Sequence, residues 1–169
     1  MLDKSKKTGD SNFSEQEIAR FDALADSWWD PEGKYKTALD FNRARLNVIK
    51  AQIENHFGQG NLPPNYSALS VIDIGSGGGL ISEPLAKLGA QVTGIDASAV
   101  SVEVARRHAQ NTGVKVDYQH KLSSEVVEEG RQYDVVINAE VVEHVPDQQQ
   151  LMRECASLVK PGGLLILAT

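Results

Sequence analysis

Two clusters in the sequence have residue types and spacings that could do chemistry. The first is the segment DIGSGGG, which places glycine at positions 75, 77, 78 and 79 just after an apolar run. Glycine permits a sharp turn from a strand into a helix, and its bare backbone lets a ligand approach the N–H groups at the start of that helix. The cluster therefore predicts a binding loop; the alternative is a tight turn that binds nothing.

The spacing of these glycines differs from the dinucleotide fingerprint G-x-G-x-x-G. Counted from Gly75 or from Gly77, the third glycine would fall on Leu80 or Ser82, so the pattern here is G-x-G-x-G. Asp96 stands 21 residues after Gly75, at the end of the next apolar run. A carboxylate at that place can accept hydrogen bonds from both hydroxyls of a ribose, although it could also cap the following helix. The glycine loop and Asp96 together favour an adenosine-containing ligand, but they do not distinguish NAD from S-adenosylmethionine.

The second cluster is Glu140, Glu143 and His144, directly after the apolar segment YDVVINA. One helical turn over residues 140–145 would place these three side chains on one face. Two carboxylates and an imidazole can hold a divalent cation; oxygen ligands suit Mg²⁺, while a histidine would also suit Mn²⁺, Fe²⁺ or Zn²⁺. Two other interpretations stay open: His144 as a general base without a metal, or a surface turn that caps the next helix.

The elements that must position both clusters follow from the alternation of apolar and amphipathic segments after residue 67. Strands are predicted over residues 68–74, 90–96, 115–120, 133–139 and 164–169, with helices over 80–88, 98–112, 123–130 and 147–159. Repeated β-α units with apolar strands predict an α/β protein, with a doubly wound, Rossmann-like parallel sheet covered by helices on both faces. The carboxyl ends of its strands would carry both clusters.

The first part of the chain predicts helices without strands. Ser14 and Glu17 have the spacing of a capping box, and a second helix is predicted over residues 42–57. We expect a disordered tail over residues 1–13, a helical cap region over 14–66 and the binding domain over 67–169. The adjacent tryptophans 28 and 29 are interpreted as packing residues, with a membrane or substrate contact as the alternative.

Composition excludes several classes of protein. The chain has 169 residues and a net charge of −6, which argues against a general nucleic-acid binder. Its one cysteine, Cys155, rules out an internal disulfide framework. Histidines 56, 108 and 120 are scattered and are predicted to lie on the surface.

Longer segments carry a resemblance to a known family. VIDIGSGGGLISEPLAKLGAQVTGIDAS resembles the first two motifs of the class I S-adenosylmethionine-dependent methyltransferases. Together with FDALADSWWDPEGKYKTALDFNRARLNVI, YDVVINAEVVEHVPD and LVKPGGLLILAT, it resembles the ubiquinone-biosynthesis O-methyltransferase family over residues 14–169. The resemblance implies methyl transfer from S-adenosylmethionine to phenolic hydroxyls of polyprenylated catechol and hydroxyphenol intermediates. The alternatives are a methyltransferase of another small molecule, an NAD-dependent oxidoreductase, or a non-catalytic adenosyl-binding module.

The resemblance also implies roles for individual residues. The cofactor site would contain Arg45, Gly75, Gly77, Gly79, Asp96 and Ala139. Mg²⁺ would bind Glu140, Glu143 and His144, and His144 with Glu143 would prepare the acceptor. Two departures stand out: the family usually has cysteine where this chain has Ser76, and family members continue with two more strands after the fifth, so we expect a C-terminally truncated domain.

The resemblance implies partners and a location as well. A polyprenylated phenol or catechol is the expected substrate, and no nucleic acid is expected. Because the prenyl tail of such a substrate lies in the bilayer, we expect a cytoplasmic protein with peripheral contact to the inner membrane. Association with other ubiquinone-biosynthesis enzymes is a further expectation.

Overall fold

The computed structural model describes residues 12–33 and 36–169, apart from the side chains of residues 26 and 38. Most of the predicted disordered tail, residues 1–11, therefore lies outside the described residues. Asn12 lies next to Asp147: its side-chain amide donates to the Asp147 carbonyl at 2.7 Å and its Oδ1 accepts from the Asp147 N–H at 2.9 Å.

Five parallel strands form one sheet. They are β1 (Ser70–Ile74), β2 (Gln91–Asp96), β3 (Asp117–His120), β4 (Tyr133–Ala139) and β5 (Val159–Ala168). Their order is β3-β2-β1-β4-β5, with every neighbouring pair parallel. The central strands are rich in valine and isoleucine because both of their faces are buried. The order confirms the predicted doubly wound sheet.

In the part of the chain that the structure describes, six α-helices accompany the sheet. They are α1 (Glu15–Asp22), α2 (Lys36–Phe57), α3 (Ser82–Lys87), α4 (Ala99–Thr112), α5 (Ser123–Glu128) and α6 (Gln148–Leu158). The predicted caps of the two helices after β2 and β4 are confirmed: Ser98 Oγ accepts from the Ser101 N–H and Asp147 Oδ1 from the Gln150 N–H, each at 2.9 Å. Within the described ranges, none of the helices combines the length and apolar character needed to cross a bilayer.

The apolar core lies on both faces of the sheet. On one face, Ile49 and Ile53 of α2 pack with Leu85 of α3 and with strand residues such as Val71. On the other face, residues of α5 and α6 pack against Ile72 and its neighbours. Each fully buried side chain of this size contributes about 1.5–3 kcal/mol to folding. The alternation of Val71 and Ile72 between the two faces fixes the strand register and thus the height at which β1 ends.

Two predicted boundaries are wrong by five residues or more, while the other boundaries after residue 67 agree with the structure to within two residues. The second helix begins at Lys36 rather than at residue 42, because the residues in between contain no helix breaker. The fifth strand begins at Val159 rather than at residue 164, and it includes Pro161. An irregularity in pairing absorbs the extra residues: Tyr133 pairs with Val159, and Val135 already pairs with residue 164. Proline is tolerated because β5 pairs with β4 alone and needs no donor on its other edge.

Candidate functional site

A cavity of about 550 Å³ opens at the carboxyl edge of the sheet, beside β1, β2 and β4. In a doubly wound sheet this is where ligands bind, because the chain leaves β1 and β4 toward opposite sides. Of the residues predicted from the sequence, Arg45, Gly75, Gly77, Asp96, Ala139, Glu140 and His144 line the cavity. Gly79 and Glu143 are not among the residues of that lining. The two predicted clusters thus share one space.

The glycine loop joins β1 to α3 and is held against β2. The N–H groups of Gly75 and Ser76 both donate to the Ile95 carbonyl, at 2.8 and 2.9 Å. Glycines 75, 77 and 79 have φ of 71°, 51° and 89°. A Cβ on Gly75 would overlap the Val141 side chain, and one on Gly79 would overlap the Tyr118 hydroxyl. Both the backbone angles and the close packing therefore require glycine in this loop.

Asp96, at the end of β2, links the loop to the next helix. Its Oδ2 accepts from the Gly77 N–H at 2.9 Å, and its Oδ1 accepts from the Ser98 N–H at 2.8 Å. Burial raises the pKa of the Asp96 carboxyl, and these two hydrogen bonds act in the opposite direction. Each carboxylate oxygen keeps a second lone pair, so the group can still accept two hydrogen bonds from a ligand in the cavity.

Asp73 in β1 also lines the cavity, and no sequence argument assigned it a role. It is 2% exposed and accepts a hydrogen bond from the Ser82 hydroxyl at 2.6 Å. Burial raises its pKa to about 7, while the nearby Arg45 guanidinium acts to lower it. The signal available in the sequence was an acidic residue inside an otherwise apolar strand, directly before the glycine loop.

Arg45 reaches the cavity from α2 and pairs with Glu140, with 3.0 Å between Nη2 and Oε1. Glu140 has φ of 58°, a left-handed conformation that costs a non-glycine residue on the order of 1–2 kcal/mol. Its N–H donates to the Ala168 carbonyl of β5 at 2.8 Å, which helps to hold that conformation. The helical turn over residues 140–145 that would place the three side chains on one face therefore does not form, and a short 3₁₀ turn spans Val142–His144 instead.

His144 is held by residues of α1. Glu17 Oε2 lies 2.8 Å from its Nδ1, and the Phe21 ring meets the imidazole edge-on at 5.3 Å between centroids. On the other side, Glu143 Oε1 is 3.9 Å from Nε2. Sequence reasoning missed Glu17 because it interpreted this residue as part of a capping box. Ser14 Oγ does accept from the Glu17 N–H, at 3.4 Å, but the carboxylate turns to His144.

The arrangement around His144 does not fit the predicted metal site. Glu140 pairs with Arg45 on a left-handed backbone, so it does not share a face with Glu143 and His144. Over residues 12–33 and 36–169, no group of three or more acids, histidines or cysteines converges to hold a metal ion. Three buried polar atoms have no aligned hydrogen bond among the described residues: Glu17 Oε2, His144 Nδ1 and Glu143 Oε2. The first two lie 2.8 Å apart, but their contact is poorly directed. Binding of a cation by the three predicted ligands would require the Glu140 side chain to leave Arg45.

One histidine prediction is also wrong. His56 and His120 lie on the surface, as expected. His108 instead stacks on Trp29, with parallel rings and 3.7 Å between centroids, and its Nδ1 lies 2.7 Å from Glu83 Oε1. Both tryptophans pack against the glycine loop: Trp28 lines the cavity, and Trp29 Nε1 donates to the Gly78 carbonyl at 2.8 Å.

Residues 72–167, more than half of the chain, match the family model described as a methyltransferase domain. The chain therefore belongs to the methyltransferase domain family. The fold is that of the class I methyltransferases: the magnesium protoporphyrin IX methyltransferase of Synechocystis PCC 6803, solved with bound SAM, aligns with a TM-score of 0.67 and 26% identity. That alignment covers 94% of this chain and 77% of the other.

Within this class, the chain is similar to proteins named ubiquinone biosynthesis O-methyltransferase, which confirms the resemblance drawn from the sequence. The protein from Chelativorans sp. (strain BNC1) is 44% identical over 90% of this chain and 61% of its own length. The protein from Ruegeria pomeroyi is 47% identical over 90% of this chain and 62% of its own length. The chain thus spans less than two thirds of the length of these relatives.

Proposed function

We propose that this chain forms the cofactor and acceptor site of an S-adenosylmethionine-dependent O-methyltransferase of ubiquinone biosynthesis. Its acceptor would be a phenolic hydroxyl of a polyprenylated catechol or hydroxyphenol. The observation that carries the proposal is a single cavity with the glycine loop and Asp96 at one side and an imidazole held by a carboxylate at another. Family membership and the names of the relatives support it.

Charged groups of the cavity match the polar groups of the cofactor. Asp96 has free lone pairs for two ribose hydroxyls. The Arg45 guanidinium suits the methionine carboxylate, which would compete with Glu140 for it. Asp73, near Arg45 and within the same lining, suits the methionine ammonium group. A sulfonium bound in this way supplies a methyl group that is already reactive, so the protein has mainly to position the acceptor and remove its proton.

His144 is the group placed to take that proton. The negative charge of Glu17, 2.8 Å from Nδ1, attracts a proton to that nitrogen even though the two atoms are not aligned for a hydrogen bond, and Nε2 is then the nitrogen left to accept the phenolic proton. The phenolic proton passes to Nε2, the phenolic oxygen bonds to the methyl carbon, and the carbon–sulfur bond breaks, giving a methyl ether and S-adenosylhomocysteine. The imidazolium formed on His144 is stabilised by Glu17 and Glu143, which lie on its two sides.

Three finer expectations stay predictions: a divalent metal at Glu140, Glu143 and His144, peripheral contact with the inner membrane, and association with other ubiquinone-biosynthesis enzymes. Titration of the chain with Mg²⁺ by calorimetry, with Glu143→Gln as the comparison, tests the first. Heat that disappears in the variant would support a metal, and the side chain of Glu140 would then have to leave Arg45. Equal responses would leave the metal-free proton transfer as the better account.

Binding of S-adenosylhomocysteine, measured by calorimetry, tests the proposed function. We expect binding by the unchanged chain, a loss of at least about tenfold in Asp96→Ala because two charge-assisted hydrogen bonds disappear, and no heat with NAD. NAD binding in place of S-adenosylhomocysteine would favour an oxidoreductase. A folded chain that binds neither would contradict the proposed cofactor site.

A further inference from the structure

The glycine loop is also held from the side that faces away from the cavity, by a group that neither the motifs nor the proposed mechanism requires. Trp29 Nε1 donates to the Gly78 carbonyl at 2.8 Å, across 49 positions of sequence. Gly78 is the residue after Gly77, whose N–H is bonded to Asp96. The loop is thus tied at adjacent residues, once to β2 and once to the N-terminal cap region.

Trp29 is itself oriented by His108 of α4. The indole and imidazole rings are parallel, with centroids 3.7 Å apart. Such close stacking fixes the plane of the indole and therefore the direction of its N–H group. Trp29 would otherwise have freedom to turn away, since it lies in a turn outside any helix or strand.

His108 is in turn anchored to the helix that follows the loop. Its Nδ1 lies 2.7 Å from Oε1 of Glu83, which is completely buried in the first turn of α3. The other carboxylate oxygen, Oε2, accepts from the Thr112 hydroxyl at 3.2 Å. A buried carboxylate is costly without partners, so the position of His108 is strongly determined. Loop and helix are therefore connected through one chain of contacts: Gly78, Trp29, His108 and Glu83.

The neighbouring tryptophan closes the same loop from another direction. A Cβ on Gly78 would come within 2.7 Å of Trp28 Cβ, and one on Gly77 would come within 3.2 Å of the Trp28 ring. The two tryptophans pack against the loop with no space for a side chain. A loop so rich in glycine has many backbone conformations when free, and fixing them before a ligand arrives removes an entropic cost from binding.

We infer that Trp29, His108 and Glu83 are positioning residues for the cofactor: they hold the Gly78 carbonyl and so preset the backbone of the binding loop. None of them lines the cavity, so their effect on the ligand passes through the loop. The inference rests on the proposed function for the identity of the ligand. Through Trp29 it gives the N-terminal cap region a second share in cofactor affinity, besides the proposed contact of Arg45 with the methionine carboxylate.

The test uses Trp29→Phe, which keeps an aromatic ring to stack on His108 and removes the N–H donor. Loss of one such hydrogen bond predicts about fivefold weaker binding of S-adenosylhomocysteine by calorimetry. Hydrogen–deuterium exchange in peptides covering residues 75–80 should become faster in the ligand-free protein. His108→Gln, which can still donate to Glu83 but cannot stack, is expected to weaken binding as well.

The matched control is Tyr66→Phe, which removes a hydroxyl that donates to Glu54 at 3.3 Å, away from the cavity. It should lower the melting temperature without changing affinity or loop exchange. Normal affinity in Trp29→Phe, or an equal loss in Tyr66→Phe, would overturn the positioning role alone. If the unchanged chain does not bind S-adenosylhomocysteine, the proposed function is overturned, and with it the effect of Trp29 on cofactor affinity. If hydrogen–deuterium exchange of residues 75–80 is also unchanged in Trp29→Phe, the inference that Trp29 holds the glycine loop is overturned as well.

Discussion

At the scale of single residues, the chemistry of the site depends on how each polar group is partnered. His144 lies between two acids, and Arg45 is held by Glu140 in the absence of a ligand. The Arg45 pair is partly exposed, so it contributes at most about 1 kcal/mol to folding. A weak pair of this kind can be given up when a ligand carboxylate binds, whereas Glu17 at His144 is mostly buried and stays in place.

His144 is the proposed base of methyl transfer. We expect His144→Gln to slow methyl transfer to a catechol with a short prenyl tail by about 10²-fold or more, because the proposed mechanism passes the phenolic proton to His144. Radiolabelled methyl transfer and calorimetry with S-adenosylhomocysteine measure rate and binding separately, and binding should persist. The control is His56→Gln, an exposed histidine outside the cavity. A variant at residue 144 with the full rate would contradict the role of His144 as base.

At the scale of elements, the carboxyl ends of β1, β2 and β4 bring together residues that are distant in sequence. Strand and helix types were predictable because valine and isoleucine runs alternate with amphipathic segments. The backbone conformation after β4 could not be predicted from the sequence, since the left-handed backbone of Glu140 depends on its hydrogen bond to Ala168 of β5. A long-range partner of this kind leaves no signal in the local pattern of residues.

The glycine loop has no room for a side chain at Gly79. Gly79→Ala places a Cβ where the Tyr118 hydroxyl lies, on a backbone with φ of 89°, so both sterics and strain oppose it. We expect it to lower the free energy of unfolding by about 2–4 kcal/mol and to weaken S-adenosylhomocysteine binding. Urea unfolding and calorimetry are the measurements.

The matched control for the loop is Gly113→Ala at the end of α4. It has a similar positive φ, 71°, but open space around the new Cβ. Gly113→Ala should therefore lower the free energy of unfolding by only about 1 kcal/mol, from backbone strain alone, and leave S-adenosylhomocysteine binding unchanged. Equal destabilisation by the two variants would show that packing on Tyr118 is unimportant.

At the scale of the whole molecule, the N-terminal cap region and the sheet form one site. The Ser98 hydroxyl donates to Asp22 Oδ1, Glu17 contacts His144, and Trp29 donates to Gly78. Each contact joins the region before the sheet to the carboxyl edge of the strands. Their number and spread favour folding of both parts as one cooperative unit, with the cavity between them.

Asp73 in β1 is a buried acid whose ionisation links the stability of the whole molecule to pH. Because burial raises the pKa of Asp73 to about 7, its stabilising contribution is fully present below about pH 4 and is lost as pH rises to about 7. Over that window only the unfolded chain ionises at this residue, so stability falls. Asp73→Asn keeps an acceptor for Ser82 and removes the titration.

We therefore expect the free energy of unfolding of Asp73→Asn, relative to the unchanged chain, to rise by up to about 4 kcal/mol between pH 4 and pH 8. Urea titrations at pH 4, 6 and 8 give this difference. Asp40→Asn, at an exposed position, serves as the control. A constant difference across the three pH values would show that Asp73 ionises normally in the folded protein.

The sequence by itself determined the class of fold, the glycine loop, the place of Asp96 at the end of a strand, and the family. Each of these depends on local patterns: hydrophobic periodicity, glycine spacing and the position of an acid after a strand. The sequence also singled out Glu140, Glu143 and His144 as a candidate cluster, but it did not determine how their side chains are arranged. Only the tertiary structure decided that Glu140 faces Arg45, that Glu17 supports His144, and that Trp29 and His108 hold the loop. These contacts join residues from 49 to 127 positions apart, the shortest separation being that of Trp29 and Gly78 and the longest that of Glu17 and His144. Such pairings follow from tertiary packing rather than from any local pattern.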